Sequence, residues 1–179
     1  PPCLARLRSR RVGRGWDVLG RPSCTHTSLA SAVLAARLTA EDDLIKVTAA
    51  LTNQHAVFDD FKPSVRGRVT VRGGYTTCAD ATSSGRTVID GRTSEAIVRV
   101  ISSIQTESLV VLENLELRGS GVRGIDIESG GDVTLHNVLV TANEGGGVEV
   151  VDGGILETDG NSQIDGNGRG GVFDPTFGG

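Results

Sequence analysis

From Val69 onward, apolar and polar residues alternate at period two in short bursts. Val110 and Leu112, Leu115 and Leu117, and Ile125 and Ile127 are three such bursts in a row. Period two marks a strand with one face buried, and none of these bursts is long enough to make a helix. Gly, Asn, Asp and Ser fill the gaps between them, as turn formers do.

The bursts recur. Residues 108–130 laid over residues 131–153, at a shift of 23, match in type at the structurally demanding positions. Val110 meets Val133, Leu112 meets Leu135, and Asn114 meets Asn137. Leu115 and Leu117 meet Val138 and Val140, while Gly124, Ile125 and Ile127 meet Gly147, Val148 and Val150. A third copy follows with one extra residue, so that Asn161, Ile164, Asn167, Gly171 and Val172 match at a shift of 24. Fainter copies lie upstream, at Val69/Val71, Thr87–Gly91 and Val98/Val100.

Three strands and three turns per copy make one triangular coil. A single coil cannot bury its inner face, but coils stacked at roughly 4.8 Å can, each strand pairing in parallel with its counterpart one coil away. The expected architecture is therefore an all-β, right-handed parallel β-helix of about 23-residue coils. Asn114, Asn137 and Asn161 are expected to form a hydrogen-bonded ladder at one corner.

Residues 27–37 are the one good helical stretch. Thr27 or Ser28 can cap it, and Leu29, Ala32, Val33 and Ala36 share a face. Placed before a first strand at Leu44–Val47, it is expected to cover the open end of the first coil, as repeat proteins require. The division that follows is a basic, poorly ordered segment over residues 1–22 and a β-helix domain over 23–179, with the cap at 24–42 and coils from 43. No comparable cap is visible at the other end, which suggests truncation or end-on self-association.

Composition agrees with thin aliphatic layers: 25 Gly, no Met and 3% aromatics in 179 residues. The net charge of −4 is uneven, because residues 1–21 carry six Arg against Asp17 alone. An acidic body argues against a nucleic-acid partner. No run of 18 apolar residues suggests a membrane span. With no apolar leader core and no initiating Met, the sequence reads as processed or truncated. Cys24 and Cys78 flank the first coil, which favours a disulfide worth about 4 kcal/mol. Two buried thiols are the alternative, and Cys3 has no evident partner.

Several pieces together resemble the pectate-lyase-like right-handed parallel β-helix superfamily. They are Cys24–Leu29, Asp43–Val47, the Val69–Cys78 segment with its Gly-Gly-Tyr, Thr87–Gly91, and the repeats from Leu109 to Val172. Within that superfamily the chain is most similar to bacterial secreted or surface repeat proteins, some of them adhesin-like. The resemblance spans about residues 24–174 and implies fold far more than function, since this fold hosts lyases, hydrolases, esterases and non-catalytic binders.

A polysaccharide lyase of this kind would need carboxylates for Ca²⁺ and a base beside the uronate. One residue out of phase with Ile125/Ile127, an outward column is expected to run Lys46, Arg99, Asp126, Glu149, Phe173. Asp126 and Glu149 are the candidate ligands, and Arg99 and Arg123 the candidate bases. A mixed-charge surface ladder is the plainer reading of the same residues. The paired Asp and Gly-His-Gly motifs of polygalacturonase-like members are missing, as is the Asp/Asp/Gln set of the esterases. His26, His55 and His136 show no ligand spacing, and Gly145–Gly147 fits a tight corner. The expectation is a non-catalytic extracellular or cell-surface module, adhesin-like, structural or glycan-binding. A lyase or hydrolase acting on acidic glycans, or a fragment of a larger β-helix enzyme, is the alternative.

Overall fold

The computed structural model describes residues 4–8, 10–12, 15–17, 26–37, 42–59, 67–92, 94–102, 108–168 and 170–173. The chain opens with β1 (Leu4–Arg8) and a small antiparallel pair, β2 (Arg10–Val12) and β3 (Gly15–Asp17). Helix α1 (Leu29–Arg37) follows. Coils then wind through β4 (Asp43–Val47), β5 (Leu51–Thr52) and β6 (Ala56–Asp59), and next through β7 (Arg68–Arg72), β8 (Thr87–Asp90) and β9 (Val98–Ile101). The central coil is β10 (Ser108–Glu113), β11 (Leu115–Arg118) and β12 (Arg123–Glu128). The last two are β13 (Gly131–His136), β14 (Leu139–Thr141) and β15 (Gly146–Val150), then β16 (Ile155–Thr158), β17 (Gln163–Ile164) and β18 (Val172–Phe173).

Every third strand joins the same sheet. The three orders are β1-β4-β7-β10-β13-β16, β5-β8-β11-β14-β17 and β6-β9-β12-β15-β18, with all coil strands parallel. This is a parallel β-helix, and the sequence repeat is its coil. Val69, Val110, Val133 and Leu156 lie in register, as do Ile89, Leu117, Val140 and Ile164. Ala56, Val98, Ile125, Val148 and Val172 form the third inner column. In the middle coils these side chains are essentially inaccessible to water, so the solenoid interior is a continuous aliphatic stack.

Helix α1 begins at Leu29, and of the two candidate caps Ser28 is the one used: the Ser31 N–H donates to Ser28 Oγ at 3.2 Å. Gln54 accepts from the Leu29 N–H at 2.8 Å, satisfying a second free donor of the first turn. Leu29, Ala32, Val33 and Ala36 are buried against the first coil, and α1 packs on β1, β4 and β6. The basic N-terminal segment is not wholly apart from the fold. Its residues Leu4–Arg8 pair antiparallel with β4 and extend that sheet by one strand.

Corners are held by stacked left-handed residues. Ser129-Gly130 and Asp152-Gly153 turn the chain between the third sheet and the first, all four with positive φ near 50° or 80°. The Gly124–Gly147–Gly171 column has a different cause. A Cβ on Gly124 would lie 2.4 Å from Val140 and 2.9 Å from Asn143 Nδ2, and one on Gly147 would meet Ile164 and Asn167 in the same way. Gly124 and Gly147 leave room for the side chains of Asn143 and Asn167 stacked at this corner.

Candidate functional site

The outward face of the third sheet carries the candidate residues. Strand alternation turns Ile125 and Ile127 inward and Asp126 and Glu128 outward. The observed column is Val57, Arg99, Asp126, Glu149, Phe173. Lys46, expected at its head, is not there. It lies on β4 in the first sheet, beside Arg72, because the first coil's strand in the third sheet is β6.

Asp126 and Glu149 are register neighbours on adjacent strands. Arg123 bridges them, with Nη2 2.9 Å from Glu149 Oε1 and Nη1 3.6 Å from Asp126 Oδ1. Arg99, the register partner of Asp126 on the other side, turns its fork to Glu128 instead, at 2.8 and 2.9 Å. That hydrogen-bonded pairing with Glu128 raises the Arg99 pKa. Asp126 Oδ1 is buried without a hydrogen-bond partner. Its carboxyl is pushed above the usual carboxylate range, first by burial and then by Glu149 and Glu128, against the pull of Arg123 and Arg99. Two of the expected site residues are thus brought together as a pair, and the two arginines neutralise carboxylates.

The expected asparagine ladder is present for one step. Asn137 Nδ2 donates to Asn114 Oδ1 at 2.7 Å, both residues being left-handed. The next rung is Asp159 rather than Asn161. The Asn137 N–H lies 3.3 Å from both Asp159 carboxylate oxygens, while Asn161 gives its own N–H to Asp159 at 3.2 Å. One extra residue in this copy carries Asn161 past the corner and leaves Asp159 in reach of it.

A second ladder, at the next corner, is better buried. Asn143 is 1% exposed. Its Nδ2 donates to the carbonyls of Leu117 and Thr141 and to Asn167 Oδ1, at 3.3, 3.1 and 3.0 Å. Its Oδ1 accepts the Ser120 N–H at 3.0 Å. The match of Asn143 to Asn167 in the repeat is the sequence signal for it.

Asp159 and Asp126 titrate with opposite consequences. Asp159 is held below the usual carboxylate range, chiefly by the Ser162 hydroxyl and then by the N–H groups of Asn137 and Asn161. Its stabilisation is therefore present above the unfolded-state pKa and is lost as pH falls through the folded value. Ionising Asp126 disfavours the fold, so stability from that group rises as pH falls from its raised value toward the ordinary one. Asp159→Asn is expected to lower Tm at neutral pH, with the deficit closing in strong acid. Asp126→Asn is expected to hold or raise Tm at neutral pH, with any gain closing in mild acid. Thermal melts of the three proteins across pH check both signs.

The connection between β7 and β8 covers part of the first sheet. Lys46 is 3% exposed beneath it: Nζ donates to the Cys78 carbonyl at 3.4 Å and to the Asp80 carbonyl, 4.7 Å from the Tyr75 ring centroid. Burial lowers the Lys46 pKa. Cys78 is buried and disulfide-bonded. The expected partner, Cys24, and Cys3 lie outside the described residues. Beside this loop runs an open groove of about 410 Å³ that includes Thr48, Tyr75, Thr76, Ser84 and Arg86. Arg86 is committed to the corner, donating to Asn137 O and Oδ1 and to Asn161 O at 2.9–3.1 Å. That clamp across coils is not legible in the sequence.

The histidines do not converge. His55 contacts the Ala96 carbonyl at 2.5 Å and Glu95 at 3.4 Å, and His136 lies 3.5 Å from Asp159. Among the described residues, no three His, Cys, Asp or Glu side chains are grouped to hold a metal ion. Among them, too, no helix is long and apolar enough to cross a membrane. No protein-family model, curated protein or solved structure matches the chain.

Proposed function

We propose that this chain is a non-catalytic β-helix module of a secreted or cell-surface protein, presenting its outer sheet faces as a structural or glycan-binding surface. The observation that supports this reading is Arg123. Its guanidinium lies between Asp126 and Glu149, in the place a Ca²⁺ ion would have to take. A base for uronate chemistry has to be free to accept a proton. Arg123 and Arg99 are each committed to carboxylates, Arg123 to Glu149 and Asp126 and Arg99 to Glu128. The likeness to bacterial adhesin-like members of the pectate-lyase-like superfamily, and a Cys24–Cys78 disulfide suited to an oxidising compartment, belong to the same proposal.

One observation favours the alternative of a lyase or hydrolase acting on acidic glycans: the raised pKa and unpartnered oxygen of Asp126. Calorimetric titration with Ca²⁺ and with oligogalacturonate separates the two. The module reading expects no Ca²⁺ binding, and ligand binding unchanged in Asp126→Ala and Glu149→Ala. Ca²⁺-dependent binding, or cleavage lost in both variants, contradicts it. A glycan array run with and without Ca²⁺ then identifies any sugar that is bound.

A further inference from the structure

Asn167 is followed by glycine, whereas Asn53, Asn114, Asn137, Asn143 and Asn161 all precede residues that carry side chains. Asparagine before glycine is the pairing most prone to deamidation, because no side chain hinders the approach of the next backbone nitrogen to the amide carbon. The fold requires both residues. Asn167 is a rung of the ladder built on Asn143, and a Cβ on Gly168 would run into the Glu144 carbonyl one coil earlier. At the rung before, Asn143 is followed by Glu144, so the labile pairing falls on Asn167.

The groups that would react are all held in the folded chain. Asn167 Oδ1 accepts from the Asn143 N–H at 3.1 Å and from Asn143 Nδ2 at 3.0 Å. Its Nδ2, the leaving group, donates to the Val140 and Asp165 carbonyls at 2.9 and 3.0 Å. The Gly168 N–H, which has to give up its proton, donates to the Asn143 carbonyl at 2.8 Å. Cyclisation needs Asn167 Cγ turned onto the Gly168 nitrogen at near-attack distance. That turn breaks the bonds to Asn143 and Val140, which tie this corner to the preceding coil.

We propose that Asn167 is a self-modification site, kept closed by the stacked coil and opened when that coil lifts from the one before. The Gly168 nitrogen then bonds to Asn167 Cγ, the Cγ–Nδ2 bond breaks, and ammonia leaves with the proton of the Gly168 N–H. Water opens the cyclic imide at one of its two carbonyls, giving aspartate or isoaspartate. Isoaspartate routes the backbone through Cγ and lengthens it by one methylene, out of step with the backbone of Asn143 and Glu144. Aspartate puts an oxygen where Nδ2 faced the Val140 and Asp165 carbonyls, leaving acceptor against acceptor. Either product opposes restacking, so an opening long enough for cyclisation becomes a lasting change.

Site-resolved peptide mass spectrometry of the full chain, aged in mildly alkaline buffer with and without guanidinium chloride, tests this. Deamidation at Asn167 is expected to be slower in the folded protein than in denaturant by roughly tenfold or more. Asn143→Ala, which removes the Nδ2 donor to Asn167 Oδ1, is expected to raise the rate severalfold in buffer and to leave the rate in denaturant unchanged. Leu112→Ala loosens the buried core at the first sheet, away from this corner, and is expected to leave the rate in buffer near that of wild type. The wild-type fraction modified at Asn167, returned to buffer, is expected to unfold at lower denaturant than the unmodified fraction. Should Asn143→Ala fail to fold by circular dichroism, the two wild-type comparisons carry the test. Equal rates with and without denaturant, a folded Asn143→Ala no faster than wild type, equal acceleration by Leu112→Ala, or equal midpoints for the two fractions overturns the proposal.

Discussion

Leu117→Ala is expected to destabilise the protein by about 3 kcal/mol, within the roughly 2–5 kcal/mol cost of such truncations in a packed core. Leu117 is fully buried and stacked in register between Ile89 and Val140. Hydrogen-bonded ladders hold the coils on either side, so the walls of the resulting void have little freedom to close over it. Val57→Ala, at an exposed position on the third sheet, is expected to change stability by less than about 0.5 kcal/mol. Urea unfolding monitored by far-ultraviolet circular dichroism measures both. Equal losses for the two variants would mean that the inner column does not carry the fold.

Asn143→Asp is expected to cost at least as much as Leu117→Ala, although it replaces only an amide by a carboxylate. Nδ2 of Asn143 faces three acceptors: the Leu117 and Thr141 carbonyls and Asn167 Oδ1. An aspartate would present a second oxygen to all three in a buried site, either charged and repelled or protonated and able to serve only one. Unsatisfied buried polar groups cost about 1–3 kcal/mol each, more for charged groups. Asn143→Ala removes the repulsion but also the acceptor for the Ser120 N–H, and is expected to fall between Asn143→Asp and wild type. Denaturant midpoints of the two variants give the order. A tolerated Asn143→Asp would show that this corner is wetter than its 1% exposure implies.

The inner columns are legible in the sequence because aliphatic residues recur at a fixed spacing, and burial in a stacked sheet demands that recurrence. Val110 over Val133 and Ile125 over Val148 follow from alignment alone. The cap helix is legible for a similar reason, its apolar face being spaced for a helix. Positions that depend on counting residues across irregular connections are not. Lys46 lies in a different sheet from the one expected because the first coils depart from the 23-residue spacing, and one inserted residue displaces Asn161 from its ladder. The Arg123 bridge and the Arg86 clamp depend on side-chain reach, which spacing does not encode. The repeat is enough to place the charges of Asp126 and Glu149 side by side, but not the guanidinium that joins them.

Methyl–methyl nuclear Overhauser contacts in a selectively labelled sample test the stacked architecture most directly. Leu112 with Leu135, Leu117 with Val140, and Ile125 with Val148 should each give strong cross-peaks, as neighbours one strand spacing apart. Absence of all three, or contacts of these methyls with residues that are not one coil away, would contradict the β-helix.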